Sequence, residues 1–133
     1  MKRSYGIVYV RKIPGVDSSF GGMHKRAARD LRIPFPYSAH SILIRRDLTH
    51  HGKVGTLQHE LYEIDIQRDR KIRYDGKKGS HELTKKLERE VGKVKRRNPR
   101  MKTEEVVKIA KKNLGIKIRP PIKLDRRKTR WEK

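Results

Sequence analysis

Residues 52–68 read GKVGTLQHELYEIDIQR, and the apolar side chains in this stretch recur with the period of a helix. The apolar positions are Val54, Leu57, Leu61 and Ile64. Because they are three or four residues apart, they would form one stripe along a helix that packs on a core. At about 100° per residue, His59 and Glu63 fall on nearly the opposite side. The sequence therefore predicts a helix with two faces to cover, one apolar and one bearing a His–Glu pair.

Two strands and a short helix are predicted before this helix. Residues 5–10 (YGIVYV) and 41–45 (SILIR) are rich in β-branched, aromatic and other apolar residues, as is typical of strands. Residues 23–31 (MHKRAARDL) consist mostly of helix formers and predict a short helix between the strands. The apolar run at 41–45 also indicates that both faces of its strand are covered.

Two more helices and a basic arm are predicted after it. Ser80 is a favourable N-cap for a helix that reaches Arg97, and Thr103 is a favourable N-cap for a helix that ends before Gly115. Residues 116–133 alternate apolar and basic residues around two prolines, which predicts an extended segment. We therefore expect an α+β fold in which a small sheet is combined with three or more helices. The expected organisation is a small α+β domain over residues 1–97, a C-terminal helix over 98–115 and an extended basic arm over 116–133.

Positive charge dominates the composition. The chain has 133 residues, with 37 Lys and Arg against 15 Asp and Glu, which gives a formal charge of +22. Residues 1–66 contribute +5 of this charge (11 basic and 6 acidic), and residues 67–133 contribute +17 (26 basic and 9 acidic). Such an excess is unfavourable in an isolated compact chain and favourable beside a polyanion, because each neutralised phosphate releases condensed counterions. The composition therefore predicts a nucleic-acid partner that is bound mainly by the second half of the chain.

The predicted RNA contacts are cations of that half together with one tryptophan. They are Arg68, Arg70, Lys71, Arg73, Lys77, Lys78, Lys93, Lys95, Arg96, Arg97, Arg100, Lys111, Lys112, Lys117, Arg119, Arg126, Arg127, Lys128, Arg130 and Trp131. Trp131 and Tyr74 could stack on unpaired bases, as aromatic side chains do when single-stranded RNA is recognised. An alternative for Trp131 is that its ring packs back on the domain.

Composition also limits the classes of protein and site. The chain contains no cysteine, so it has neither a disulfide framework nor a thiolate zinc site. We find no signal peptide, membrane span or lipid-anchor pattern, and we expect a cytoplasmic protein with no membrane partner and no small-molecule substrate. Asn and Gln total four, while Lys, Arg and Glu are abundant. This bias is typical of hyperthermophiles and leads us to expect a thermophilic archaeal source.

The sequence HELYEID, starting at His59, carries the pattern with the most chemical content. His59 and Glu63 are four residues apart, so in a helix they can bind one cation from one face, with Glu60 one position further round. HExxH metallopeptidases use this arrangement, with two histidines on zinc and the intervening glutamate activating water. His81, at the head of the next predicted helix, is the candidate third ligand, and Glu88 is a weaker candidate.

The order of strand, helix, strand, HExxE helix and a following helix resembles the small zincin-like metallopeptidase fold over about residues 5–90. The resemblance implies that His59, Glu63 and His81 bind zinc and that Glu60 acts as the general base. Glu63 stands where the family has its second histidine. This departure from the family pattern bears on which metal binds and on whether peptides are hydrolysed.

A second interpretation of the same residues involves no metal. Glu60 and Glu63 would offset the charges of Arg68 and Arg70 on a solvated, ion-paired helix face. A domain that keeps the zincin shape without its chemistry also fits this interpretation, since a fold does not determine a function.

A small mixed domain followed by a long basic arm resembles the general design of ribosomal proteins. This resemblance implies a structural rRNA-binding component, or a stable partner, of an archaeal ribosome. Such a protein would also contact neighbouring ribosomal proteins and would require no cofactor. The alternatives are a zinc-dependent peptidase of the minimal zincin type and a DNA-associated basic protein.

Overall fold

The computed structural model of the chain describes residues 4–17, 20–68 and 72–132. Within these ranges four strands form one sheet and are combined with four helices, so the fold is α+β, as predicted. The strands are β1 (Gly6–Val10), β2 (Gly22–His24), β3 (Ser41–Arg45) and β4 (Arg130–Trp131), and the helices are α1 (Lys25–Asp30), α2 (His50–Ile66), α3 (Ser80–Arg97) and α4 (Thr103–Leu114). None of these described helices is both long and apolar enough to cross a membrane.

The sheet has the strand order β2-β3-β1-β4. β1 pairs in parallel with both β3 and β4, while β2 pairs antiparallel with β3. Ile42, Leu43 and Ile44 of β3 are fully buried, which agrees with the prediction that both faces of this strand are covered. β2 is an edge strand, because only one of its sides pairs with a described strand.

Two hydrophobic clusters cover the two faces of the sheet. Val8 and Leu43 belong to a cluster that includes Ala27 and Ala28 of α1. Ile42 and its neighbours belong to a second cluster that includes Leu57, Leu61 and Ile64 of α2. Because successive side chains of a strand point to opposite faces, α1 and α2 lie on opposite sides of the sheet.

α2 follows the sequence prediction closely. The helix begins after Thr49, whose side chain accepts a hydrogen bond from the backbone N–H of Gly52 at 3.0 Å. Three members of the predicted apolar stripe, from Leu57 to Ile64, pack on the sheet. Val54 at the start of the stripe does not, and 53% of it is exposed. The opposite side of α2 is therefore turned away from the sheet towards other elements.

α3 and α4 pack against the end of α2 through a third cluster. Its buried members are Ile66, Leu87, Val94, Val106 and Ala110. Gly115, at φ 70°, ends α4 in the left-handed conformation, as predicted. The predicted N-caps are wrong by one residue, because Ser80 and Thr103 are the first helical residues and Gly79 and Lys102 precede them as caps.

The helix predicted over residues 23–31 is shorter than expected. Met23 and His24 belong to β2, where they pair with Leu43 and Ile42 of β3, and only Lys25–Asp30 is helical. Both side chains are about 2% exposed. Burial and backbone pairing with β3 outweigh the helical propensity of this short segment.

The predicted basic arm returns to the sheet. Residues 116–123 contain neither helix nor strand, as the two prolines predict. The backbone of Tyr5 then donates to the carbonyl of Lys123 at 2.8 Å and accepts from the N–H of Asp125 at 2.9 Å. Beyond this contact β4 adds to β1 as the fourth strand, so the arm ends as part of the domain.

Trp131 packs on the domain, which is one of the two alternatives that the sequence left open. Its ring stacks on that of Tyr9 with the centroids 4.3 Å apart, and the ammonium nitrogen of Lys53 lies 5.1 Å from the indole centroid. The residue is nevertheless 61% exposed. One face of the indole is covered, while much of the side chain stays accessible.

A substitution at Gly6 tests whether the C-terminal arm packs against β1. A Cβ at Gly6 would lie 2.5 Å from Cβ of Lys128 and 2.8 Å from its carbonyl oxygen. We expect Gly6→Ala to displace the chain end from β1 and to lower the free energy of unfolding by about 1–3 kcal/mol, as overpacking does. Limited proteolysis with trypsin at Arg126–Lys128 and denaturant unfolding measure both effects.

The matched control is Gly55→Ala in α2, where a Cβ would meet nothing within 4 Å. That change should leave proteolysis unchanged and stabilise the helix by about 0.5–1 kcal/mol. Equal behaviour of the two variants would contradict the docking of the arm.

Candidate metal centre

Five titratable side chains converge between β2, α2 and α3. They are His24, His59, Glu60, Glu63 and His81. Three come from α2, one from the end of β2 and one from the first turn of α3. The convergence therefore depends on how these three elements pack.

A tight loop places His81. The backbone N–H groups of Ser80 and His81 donate to the carbonyls of Arg73 and Tyr74 at 2.7 and 3.1 Å. Gly79 makes this close return possible, because a Cβ there would lie 2.3 Å from the carbonyl oxygen of Asp75. The first turn of α3 is thereby fixed against the loop that precedes it.

Glu63 lies at the centre of the cluster and is 1% exposed. Its Oε2 lies 2.8 Å from Nε2 of His59 and 2.7 Å from Nδ1 of His81. Burial opposes the charge of Glu63, but the hydrogen bonds from His59 and His81 outweigh it and lower the pKa of Glu63 to about 2. Burial likewise disfavours the charged form of His59, yet hydrogen bonding to Glu63 raises the pKa of His59 to about 9. The cluster therefore contains a carboxylate paired with protonated imidazole when no metal is bound.

His24 and Glu60 form a second, deeper pair. Nδ1 of His24 lies 3.0 Å from Oε1 of Glu60, and Nε2 of His24 lies 2.5 Å from Oε1 of Gln67. All three residues are at most 4% exposed. Burial raises the pKa of Glu60, and the neighbouring charge of Glu63 acts in the same direction. A carboxyl group with a raised pKa is suited to accept a proton during a reaction.

The donor atoms fit a divalent transition metal. Nε2 of His59, Oε2 of Glu63 and Nδ1 of His81 lie within 4.8 Å of one another, and two nitrogens with one oxygen are a donor set that catalytic zinc sites use. The other ring nitrogen of His59 lies 2.9 Å from Oε1 of Glu88. A carboxylate behind a histidine ligand fixes its tautomer and orientation, as is common around bound metals.

A cleft of about 410 Å³ gives access to the cluster. Its walls include Gly21 and Gly22 at the start of β2, Thr56 of α2 and Tyr74 of the loop before α3. The side chains of His59 and His81 are 22% and 34% exposed, while Glu63 lies beneath them. Ligands from solution can therefore approach the two imidazoles from the cleft.

The structure brings together the four residues that the sequence singled out for metal chemistry, namely His59, Glu60, Glu63 and His81. Glu88, the weaker candidate, contacts the far nitrogen of His59 instead. Sequence reasoning missed His24. Its proximity to Glu60 depends on the pairing of β2 with β3, which no local sequence pattern predicts. A histidine within an apparent helix was the only signal.

The partners of Glu60 and Glu63 differ from the arginines that the ion-pairing interpretation predicted. Glu60 and Glu63 pair with histidines, and Arg68 lies 3.3 Å from Asp65. Arg70, the other proposed partner, lies outside the described residues.

The predicted RNA contacts are mostly exposed. Lys111 is an exception, because it is 7% exposed and its ammonium group pairs with Asp65, so its side chain is unavailable to RNA. Tyr74 is 8% exposed within a hydrophobic cluster, so little of its ring is accessible for stacking on bases. Arg68 and Arg119 are partly buried, and Arg70 and Lys71 lie outside the described residues. The exposed members are Arg73, Lys77, Lys78, Lys93, Lys95, Arg96, Arg97, Arg100, Lys112, Lys117, Arg126, Arg127, Lys128, Arg130 and Trp131.

Comparison of the chain with protein-family models, curated proteins and solved structures finds no match.

The pKa values predict how the stability of the metal-free chain depends on pH. The raised pKa of His59 contributes stability that is complete below about pH 6.5 and is lost as the pH rises through about 9. The lowered pKa of Glu63 contributes stability that is complete above about pH 4.5 and is lost as the pH falls through about 2. In chelator-treated protein we expect an alkaline loss of the order of 3 kcal/mol, measured by denaturant unfolding.

His59→Gln should abolish most of this alkaline loss, whereas the control His51→Gln, on an exposed residue outside the cluster, should retain it. An unchanged alkaline loss in His59→Gln would show that His59 is not the titrating group.

Proposed function

We propose that the chain is a zinc-dependent hydrolase of the minimal zincin type. The observation that carries the proposal is the meeting of His59, Glu63 and His81 around one point at the base of an open cleft. A buried glutamate adjoins them at position 60, as the resemblance to the zincin fold implies. The buried charges of the cluster are costly to folding, and such costs are typical of sites retained for function.

Each residue of the cluster has a distinct role in this proposal. His59, Glu63 and His81 hold the ion, and Glu88 orients the ring of His59. Zinc, when bound, supplies Lewis acidity that polarises a carbonyl group and makes water more acidic. Glu60 accepts the proton of the attacking water and passes it to the leaving group. His24 holds Glu60 in place at 3.0 Å.

The position of the edge strand β2 beside the cleft favours a peptide as the substrate. Gly21 and Gly22, at the start of β2, line the cleft. The free side of an edge strand offers backbone hydrogen bonds to an extended peptide, which would pair with it as an added strand. A Cβ at Gly22 would lie 2.7 Å from Cγ2 of Thr56, so this wall of the cleft has no room for a side chain.

The metal content tests this proposal. Purified protein should bind about one zinc ion per chain. His59→Ala and His81→Ala should each lose the zinc, because a site with three protein ligands binds zinc much more weakly when one of the ligands is removed. The matched control is His51→Ala, an exposed histidine that lies outside the cluster. Glu60→Gln should keep the zinc and lower kcat/KM on a peptide library by about 10²–10⁴-fold.

Elemental analysis and peptide cleavage give the two readouts. Zinc that stays stoichiometric in His59→Ala would contradict the ligand assignment. Full peptide cleavage by Glu60→Gln would contradict the role of Glu60.

A second function, RNA binding, is favoured by the charge of α3. Exposed cations follow the helix on one side, at positions that fall within about 120° of one another. They are Lys85, Lys86, Arg89, Lys93, Arg96 and Arg97. This stripe is about 18 Å long and lies opposite the buried Leu87 and Val94. An uninterrupted row of cations on a rigid helix suits a nucleic-acid backbone.

We propose that this surface holds rRNA, with the protein as a component or stable partner of an archaeal ribosome. Most of the exposed arm cations, from Arg126 to Arg130, would add phosphate contacts. None of the six stripe residues lines the cleft at the metal centre, so the phosphate-binding role can coexist with the cleft. A DNA-associated protein is the alternative for the same charges.

The salt dependence of RNA affinity tests the stripe. Arg96→Ala/Arg97→Ala should reduce the slope of log K against log salt by about 1.4–1.8, because each phosphate contact contributes about 0.7–0.9. The matched control, Arg11→Ala/Lys12→Ala, removes the same charge from exposed residues after β1 and should leave the slope unchanged.

Equal slopes for the two double variants would contradict a localised surface. Cosedimentation with ribosomal subunits in high salt distinguishes a ribosomal partner, and equal affinity for duplex DNA would favour the DNA alternative.

A further inference from the structure

A cavity of about 920 Å³ lies on the other side of His24 from Glu60. It is bounded by the start of α1, the end of α2 and the returning arm, which contribute Arg26, Gln67 and Arg119 among others. The metal centre and the cation stripe of α3 do not use this space. What it could bind follows from its charges, its unpaired donors and its apolar walls.

The lining of the cavity is strongly cationic. Five of its fourteen described lining residues are Lys or Arg, and none of those fourteen is Asp or Glu. The five are Lys25, Arg26, Arg68, Arg119 and Lys123. So many like charges around one space repel one another unless an anion enters it.

Arg68 adds an unpaired donor to this charge. Its nearest described carboxylate partner is Asp65 at 3.3 Å, and Asp65 is also paired with the ammonium group of Lys111. One carboxylate thus serves two cations. The Nε of Arg68 is buried and makes no hydrogen bond to any described residue.

Gln67 supplies a second unpaired donor. The residue is 4% exposed, and its Oε1 accepts from Nε2 of His24. Its amide Nε2 is buried and has no hydrogen-bond partner among the described residues. Buried donors without acceptors are rare and costly. Beside Arg68 one unsatisfied acceptor, Oδ1 of Asp65, lies 3.3 Å away, whereas the amide of Gln67 has no described acceptor, so the cationic lining of the cavity is the stronger indication of an anion.

Arg26 is held in place before any ligand arrives. One of its terminal nitrogens donates to the carbonyl of Gln67, and the other donates to the carbonyl of Ile72 at 2.9 Å. A guanidinium fixed by backbone carbonyls loses little conformational freedom when an anion approaches.

The remaining walls are aromatic and apolar. The rings of Tyr5 and His40 lie 5.1 Å apart at an interplanar angle of 58°, and Pro120, Pro121 and Ile122 come from the arm. The space is much larger than a single phosphate needs. Rings and prolines beside cations suit a planar group attached to the anion.

We propose that this cavity binds the phosphate group of a nucleotide, with the base lying against Tyr5, His40 and the prolines of the arm. Arg119 and the exposed part of the Arg68 guanidinium contact the phosphate oxygens. The nucleotide is either free or part of a single strand, since both present the same phosphate and base. This inference does not depend on zinc binding or on hydrolysis.

Calorimetric titration of the full chain with adenosine monophosphate tests the proposal. We expect saturable binding at one site, weakened at least about tenfold by Arg119→Ala, since a charge-assisted contact is lost. The matched control is Arg11→Ala, which removes the same charge from an exposed position after β1 and should change the affinity less than about twofold. Arg119 lies in a segment without helix or strand, so its replacement should leave the fold intact.

Further titrations identify which kind of ligand the cavity binds. Inorganic phosphate should bind at least about tenfold more weakly than the nucleotide, because it makes no contact with the rings. A short single-stranded oligonucleotide that displaces the nucleotide identifies a strand as the source, and one that leaves it bound identifies a free nucleotide. Affinity unchanged in His59→Ala supports a site separate from the metal centre.

Three results would overturn the proposal. They are the absence of saturable binding, equal weakening by Arg11→Ala and Arg119→Ala, and equal affinities for inorganic phosphate and the nucleotide.

Discussion

The burial of the Glu63 carboxylate is the constraint on which the rest of the arrangement depends. A carboxylate that is 1% exposed is tolerable only with partners, and His59 and His81 provide them at 2.8 and 2.7 Å. Because the partners come from α2 and α3, satisfying this one charge fixes how the two helices meet. Hydrophobic packing around Leu87 then holds them together.

The same requirement links the centre to the sheet. Glu60 stands next to Glu63 in space, and two buried carboxylates repel each other unless cations lie close to both. His24 fills that need for Glu60, which explains why β2 ends against α2. A bound divalent ion would relieve the same repulsion, so the geometry that the metal-free chain adopts is already close to that of a ligand set.

Features that depend on local period could be predicted from the sequence, and those that depend on distant pairing could not. The apolar stripe from Leu57 to Ile64 fixes α2 and brings His59 and Glu63 to one face, and the left-handed Gly115 marks the end of α4. His24 escaped notice because its strand forms only by pairing with β3. The count of basic residues led to Lys111 being predicted as an RNA contact. In the structure Lys111 is buried and forms an ion pair with Asp65, which lies forty-six residues earlier in the chain. The return of the arm likewise rests on contacts between the two ends of the chain.

The most direct test of the account is the coordination of the bound ion, measured by X-ray absorption at the zinc edge on zinc-loaded protein. The account predicts two imidazole nitrogens and carboxylate oxygen at about 2.0–2.2 Å with no sulfur, and no such shell in His81→Ala, which should not retain the ion. A six-coordinate shell of oxygen alone, unchanged in His81→Ala, would contradict it.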